Sequence, residues 1–331
     1  MMVRVLVTGA AGFIGSHVVE RLLNDGFHVI GIDNLEVGRM SNLKFAINNP
    51  KFDFKEIDVR DSDALLKACT SASIFLHLAA LADIVPSVEK PDRYFETNVV
   101  GTFNLMQIAR EIGVKKVIYI ASSSCYGIPT NLPTTELEAI RPQYPYALTK
   151  YLGESLALHW GEVYKISTTS LRLFNVFGPR ARTSGTYGAV FGVFLAQKNA
   201  GKPFTVVGNG DQTRDFTYVS DVVEAIVLAM NSTHSGVFNV GSGGTYSINR
   251  LVELLGGDVV KIPKRPGEPD STFADITKIR NELGWSPKTS FEAGVENILK
   301  SISDWKDGPV WDAASIEVAT QSWFKYLDKN E

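Results

Sequence analysis

The stretch Val3-Arg4-Val5-Leu6-Val7-Thr8-Gly9-Ala10-Ala11-Gly12-Phe13-Ile14-Gly15 decides the fold. Residues 3–7 form an apolar, β-branched run that reads as a buried strand. From residue 14 to 25, Ile14, Val18, Leu22 and Leu23 recur on one helical face. Between the two stand three glycines in the order G-x-x-G-x-x-G. Glycine permits the tight turn and a close backbone approach, and the first helical amides, at the positive end of the helix dipole, face an anion. A strand before and a helix after sharpen a pattern that is weak alone. The turn reads as a pyrophosphate cradle; a tight glycine turn without a ligand is the plain alternative.

The same alternation continues outward. Strands are expected at 28–32, 52–57, 73–78, 116–120, 168–174 and 237–240, and helices at 61–70, 91–112, 145–164 and 218–231. Mostly apolar strands alternating with helices predict an α/β protein with a doubly wound, mostly parallel sheet covered on both faces. After Asn175 glycine and proline become frequent (Gly178-Pro179, Gly185, Gly188, Gly201-Lys202-Pro203, Gly208-Asn209-Gly210), with a helix expected at 190–200. Residues 1–175 with about 214–244 are expected to form a dinucleotide-binding domain. About 176–213 and 245–331 are expected to form a smaller α/β, substrate-binding lobe over the strand ends.

Composition narrows the function. The 331 residues carry 33 basic and 36 acidic side chains, a net charge of -3. Nothing in that balance favours nucleic acid or an anionic membrane as partner. No apolar run reaches the roughly 18–20 residues of a membrane span, and the first residues lack the pattern of a signal peptide. Two cysteines, Cys69 and Cys125, are too few for a disulfide framework and fit reduced thiols in the cytoplasm. The five histidines show no metal-ligand spacing, so no metal is expected, and His77 reads as a satisfied core residue.

Asp33 ends the second strand, 18 residues after Gly15. A carboxylate there bonds the adenosine ribose hydroxyls and repels a 2′-phosphate, which favours NAD over NADP; Arg39 nearby pulls the other way. A turn-forming role beside Asn34 is the alternative for Asp33. Asp58, after the third strand, reads either as an adenine contact or as a solvated loop acid.

Tyr146 and Lys150 form Y-x-x-x-K at the start of a helix, behind Pro145. Residues four apart share a helical face. A free phenol, with a pKa of about 10, is a poor base at neutrality, and bringing it to ~7 takes about 4 kcal/mol. One cation at ~4 Å, at an effective dielectric of ~20, supplies an effect of that size. The spacing also occurs by chance on surface helices. Ser122-Ser123-Ser124 follows a strand, at the carboxyl end where open α/β sheets bind ligands. A hydroxyl there donates to a substrate oxygen and shares its proton with Tyr146. No G-x-S-x-G elbow surrounds the serines, so a serine hydrolase is disfavoured.

Residues 8–15, Asp33, Asp58, Leu78-Ala79-Ala80, Asn98, Ser122–Ser124 with Tyr126-Gly127, and the Tyr146/Lys150 pair resemble the extended short-chain dehydrogenase/reductase family. Within it the chain is most similar to NAD-dependent nucleotide-sugar 4-epimerases of the UDP-glucose/UDP-N-acetylglucosamine type. The similarity spans nearly the whole chain, including residues 172–179, 214–221 and 265–268. It implies a Rossmann sheet and NAD held by Gly9, Gly12, Phe13, Ile14, Gly15, Asp33, Asn34, Asp58, Val59, Leu78, Ala79, Ala80, Asn98, Tyr146 and Lys150. It implies a catalytic set of Ser122, Tyr146 and Lys150, with Ser123, Ser124, Asn175, Arg214, Arg265, Glu268 and Thr272 toward a nucleotide-diphosphate sugar, a UDP-sugar first. By this resemblance, Tyr146 as phenolate takes the carbon-4 hydroxyl proton while NAD takes the hydride. The 4-keto sugar then turns over and the hydride returns to its other face.

Guanidinium pairs bidentately with phosphate, which suits Arg214 and Arg265; surface ion pairs are their plain alternative. Glu268 is read as a ribose contact or a loop acid. Related 4,6-dehydratases carry an Asp-Glu pair where Ser123 and Ser124 stand here, and serine cannot exchange those protons. Thr272 aligns with a position that is a bulky tyrosine in relatives excluding N-acetyl sugars, so an N-acetylhexosamine is expected to fit. The helices at 91–112 and 145–164 resemble those that pair across a homodimer, although their apolar faces also suit a monomer core. The Trp-rich segment 305–327 departs from the short family ending, and reads as packing on the small lobe or as a partner contact. Two other readings stand beside epimerisation: a dehydratase, reductase or decarboxylase on the same scaffold, and a non-catalytic NAD sensor.

Overall fold

A computed structural model describes residues 3–181 and 189–328. Gly185, Gly188 and the outermost residues of the two expected domain ranges lie outside the described residues. Seven strands form one sheet: β1 (Arg4–Thr8), β2 (His28–Asp33), β3 (Phe52–Glu56), β4 (Ile74–His77), β5 (Lys116–Ser122), β6 (Ser167–Leu173) and β7 (Gly236–Val240). The order is β7-β6-β5-β4-β1-β2-β3, with every neighbouring pair parallel. The chain winds outward in both directions from β1 and β4, which opens a crevice at their carboxyl ends.

Alternation along each strand feeds two layers. Val5 and Val7 pack with Val18 and Leu22 of helix Phe13–Asn24 and with Val222 and Ile226 of helix Val219–Asn231. Leu6, between them, points to the opposite face, where it joins Leu105 and Met106 of helix Gly101–Glu111 and Ala157 of helix Pro145–Tyr164. Strands buried on both faces must be apolar throughout, which is why β1 and β5 read as continuous runs.

A separate core gathers Phe177, Phe191, Phe216, Ile248, Phe291 and Trp305. It sits under short strand pairs such as Phe204–Val207 with Val259–Ile262. The Trp-rich segment packs within the chain: Trp305 and Trp323 are both buried. Among the described residues no helix is long and apolar enough to cross a membrane.

The helix expected at 91–112 is interrupted. It runs as Pro91–Phe95, a widened π turn at Glu96–Val100, then Gly101–Glu111. The reason lies in Asn98. Its amide donates to the Leu81 carbonyl (3.0 Å) and Thr149 Oγ1 (3.1 Å), and its oxygen accepts from the Leu81 amide (2.9 Å). One extra residue in the turn aims this side chain inward, a usual purpose of π bulges. Helix Ile84–Glu89 lies in a stretch whose sequence carries no readable periodicity.

Candidate active site

The glycine turn follows β1 directly. Gly9 has φ +68, open to glycine, and a Cβ there would stand 2.9 Å from the Ala79 amide nitrogen. A Cβ on Gly15 would lie 2.0 Å from the Gly9 carbonyl oxygen. Only bare backbone lets helix, turn and β4 approach so closely. Gly12 caps the helix without a side-chain bond, so the first helical amides have no intrahelical acceptor and suit an anion.

A buried relay holds that cradle. Thr102 donates to the Asn98 carbonyl (2.6 Å), so its oxygen accepts from His77 Nε2 (3.0 Å). His77 Nδ1 then accepts from Thr8 Oγ1 (2.7 Å), whose oxygen accepts the Leu78 and Ala79 amides (3.2 and 3.1 Å). Burial pushes the His77 imidazole down to about 3, so it remains neutral in this role. His77 is thus a satisfied core residue that ties the cofactor loop after β4 to β1.

Asp33 is buried and turned to the crevice. Its oxygens accept from the Ala11 amide (2.9 Å) and the Leu35 amide (2.8 Å), and burial raises its carboxyl above the usual range. The cradle and this acid fit an adenosine diphosphate without a 2′-phosphate. Arg39 donates to the carbonyls of Arg180 (3.3 Å) and Ala181 (3.2 Å).

At the end of β5, Ser122 caps a short turn, accepting from the Ser124 amide (3.2 Å), and the two hydroxyls bond each other at 2.8 Å. Both serines also hydrogen-bond the Tyr146 phenol, which draws it down, while burial, the largest influence, pushes it up. Lys150 is buried one turn on. Its ammonium donates to the Ile120 carbonyl (2.5 Å), lies 4.5 Å from the centre of the Tyr119 ring, and is pushed by burial down to about 7. Beneath them Glu154 accepts from Arg172 (2.5 Å) and Ser170 (2.8 Å), and Arg172 donates to Tyr126 (2.9 Å). This fully paired network fixes the helix that carries Tyr146.

Asn175, Arg214, Arg265, Glu268 and Thr272 line the other end. Arg265 and Arg214 flank Glu268 at 3.1 and 3.8 Å. Burial lowers the Arg214 guanidinium. Thr272 Oγ1 accepts from the Asp215 amide (3.0 Å) and donates to Asn175 Oδ1 (2.9 Å), which leaves the Asn175 NH2 as the donor available to a ligand.

One cavity of about 700 Å³ runs from the glycine turn to these arginines, within the usual range of ligand pockets. Every residue expected at cofactor, substrate or chemistry lines it except Asp58 and Asn98. Asp58 accepts from Arg60 (2.7 Å) and Asn34 (2.8 Å), and the Asn98 amide donates to Leu81 and Thr149. Asp83 and Tyr144, not expected at the site, also line it, and Trp311 and Trp323 bring the Trp-rich segment to its wall. Tyr144 carried a signal, because tyrosine is an unusual residue at a helix N-cap.

A parallel sheet with a glycine cradle, an acid ending β2, and a serine–tyrosine–lysine set at β5 defines an extended short-chain dehydrogenase/reductase. The chain belongs to the family described as GDP-mannose 4,6 dehydratase, whose model matches residues 6–298. It is 38% identical over 306 residues to a UDP-glucose 4-epimerase of Mycolicibacterium smegmatis, covering 90% of this chain and 97% of that one. Among solved structures it is similar to the UDP-N-acetylglucosamine 4-epimerase of Methanobrevibacter ruminantium in complex with UDP-N-acetylmuramic acid. That match has a TM-score of 0.86 and 35% identity, over 92% of this chain and all of the other. It is likewise similar to the UDP-glucuronic acid 4-epimerase of Bacillus cereus in complex with UDP-glucuronic acid and NAD. There the TM-score is 0.84 and the identity 33%, over 91% and 99% of the two chains.

Proposed function

We propose that this chain is an NAD-dependent nucleotide-sugar 4-epimerase, an isomerase acting on carbon 4 of a UDP-hexose or UDP-N-acetylhexosamine. The observation that carries the reading is the hydroxyl cluster Ser122–Ser124–Tyr146 in one cavity with both the glycine cradle and two arginines. Bound NAD would supply the hydride acceptor and donor for carbon 4, and its oxidised ring a positive charge that favours a phenolate. Tyr146 takes and gives back the carbon-4 hydroxyl proton. Ser122 orients that hydroxyl and shares its proton, and Lys150, anchored on the Ile120 carbonyl, holds a cation beside the cofactor. The 4-keto sugar has to present both faces, so the firm grip falls on the diphosphate, through Arg214, Arg265 and Asn175. Ser123 faces the sugar, and Glu268 faces the nucleotide ribose. Thr272 is compact and leaves room for an N-acetyl group.

Pairing with a second copy of the chain is part of this proposal. Phe95, Phe103, Leu148 and Val163, on the 91–111 and 145–164 helices, are 38–49% exposed and form an apolar surface for a homodimer. The two free, buried thiols suit the cytoplasm.

Asp83 favours a second reading. It lines the cavity, and its charge reaches the Tyr146 phenol. A carboxylate there is a candidate acid for water loss, as in a 4,6-dehydratase, although the adjacent acid pair of a dehydratase is replaced here by Ser123 and Ser124. Purified protein incubated with UDP-, dTDP-, GDP- and CDP-sugars, with products identified by NMR, separates the readings. The expected products are UDP-sugar 4-epimers without net reduced nicotinamide, and Tyr146→Phe is expected to lose ~10²–10⁴-fold in turnover. A 4-keto-6-deoxy product would replace the first reading by the second.

A further inference from the structure

Tyr144 caps the Pro145–Tyr164 helix without making a capping bond. Ser, Thr, Asp or Asn at that position satisfies an orphan amide and stabilises the helix, and tyrosine does neither. Its side chain is spent elsewhere. The ring lies parallel to that of Tyr146, with centroids 6.3 Å apart, and packs on Trp323 at 6.3 Å. Trp323 is itself fixed, donating to the Pro266 carbonyl (2.7 Å) and carrying the Arg265 guanidinium 5.4 Å above its ring. The C-terminal helix Gln321–Leu327 therefore backs Tyr144 and sets its orientation.

Tyr144 lines the cavity, and among the described residues no group hydrogen-bonds its hydroxyl. Tyr146, Glu268 and Arg214 all lie close enough to act on its hydroxyl. Tyr146 marks the reacting carbon 4, and Arg214 the diphosphate, in the reading given above. What lies between carbon 4 and the diphosphate is the hexose. We infer that Tyr144 is a substrate-contacting residue whose hydroxyl bonds the hexose ring of the nucleotide sugar, backed by Trp323. A rotatable hydroxyl that both donates and accepts suits a sugar that presents either face.

This inference rests on the nucleotide-sugar reading, and its test separates the two. Steady-state kinetics with UDP-glucose and UDP-N-acetylglucosamine are paired with UDP binding by calorimetry, in wild type and Tyr144→Phe. The variant is expected to raise KM for the sugars roughly three- to ten-fold, the size of one neutral hydrogen bond. Its kcat and its affinity for UDP alone should stay within about two-fold of wild type. Tyr144→Ser, which restores a capping residue but removes the ring packed on Trp323, is expected to lower Tm and to raise KM at least as much. An unchanged KM in Tyr144→Phe overturns the inference, as does a serine variant with wild-type KM. A loss in UDP affinity equal to the loss in KM moves the contact to the nucleotide and also overturns it. Wild type inert on every nucleotide sugar takes down the functional reading and this inference together.

Discussion

The two walls of the cavity are made of different material. The cofactor wall is backbone: a glycine turn, the first amides of a helix, and a loop after β4 held by the Thr8–His77–Thr102 relay. The opposite wall is side chains from separated segments: Asn175, Arg214, Arg265, Glu268 and Trp323. Backbone packed at 2–3 Å tolerances has no rotamers to choose among, so it suits a group that stays in place through every turnover. Side chains that bond one another can exchange partners at low cost. Glu268 already divides itself between two arginines, and a diphosphate competes for the same guanidinium groups. A wall of that kind suits a ligand that enters, turns and leaves.

The contrast makes substitutions on the two walls fail differently. On the cofactor wall, Gly15→Ala places a methyl carbon 2.0 Å from the Gly9 carbonyl. The turn has to open, at about 3 kcal/mol or more of stability, and the cradle opens with it. Thermal melts should show a lower Tm and no further rise on adding NAD, because folding and cofactor binding share the same backbone. A normal NAD-dependent rise in Tm would break the distinction between the walls. On the side-chain wall, Arg214→Ala should weaken UDP binding by ~10–100-fold, as expected for a lost charged hydrogen bond of about 1.5–3 kcal/mol. Its Tm should stay close to wild type and its NAD affinity unchanged. Calorimetry against both ligands checks this, and a parallel loss of NAD affinity would count against separate walls.

The same difference explains what could be read in the sequence. The cofactor wall is local: β1, turn and helix are contiguous, and every expected lining residue at the glycines is where the pattern places it. The sheet was equally legible, since buried parallel strands are apolar runs with sharp edges. Asn98 was legible as important but not in its manner, because a π turn leaves no trace in helical periodicity. Tyr144, Asp83 and Trp323 were invisible as a group. They come from three places in the chain, and only the packing of helix Gln321–Leu327 over the 265–268 loop brings the tryptophan to the site. No spacing rule links residues 144 and 323.

Asp58 tests where the cofactor wall ends, and its effect should be the smallest. It stands next to Val59, which lines the cavity, and accepts from Arg60 Nη2 (2.7 Å) and from Asn34 Nδ2 (2.8 Å). The bond from Arg60, above all, holds its carboxyl down at about 2. The folded form therefore stays ionised below the pH at which the unfolded chain takes up its proton. Between the unfolded value of about 3.9 and the folded one, the unfolded state binds more protons, so stability rises with pH across that window. The contribution is complete above it and lost as pH falls through about 2. The pair is partly exposed and screened, so its contribution is about 0.2–1 kcal/mol. Asp58→Asn should cost that much in urea unfolding at pH 7 and progressively less as pH falls below the carboxylate range. NAD affinity should change by less than about three-fold, the effect passing only through the Asn34 side chain that Asp58 anchors. A ten-fold loss of NAD affinity with little change in stability would place Asp58 within the cofactor wall and extend that wall to the end of β3.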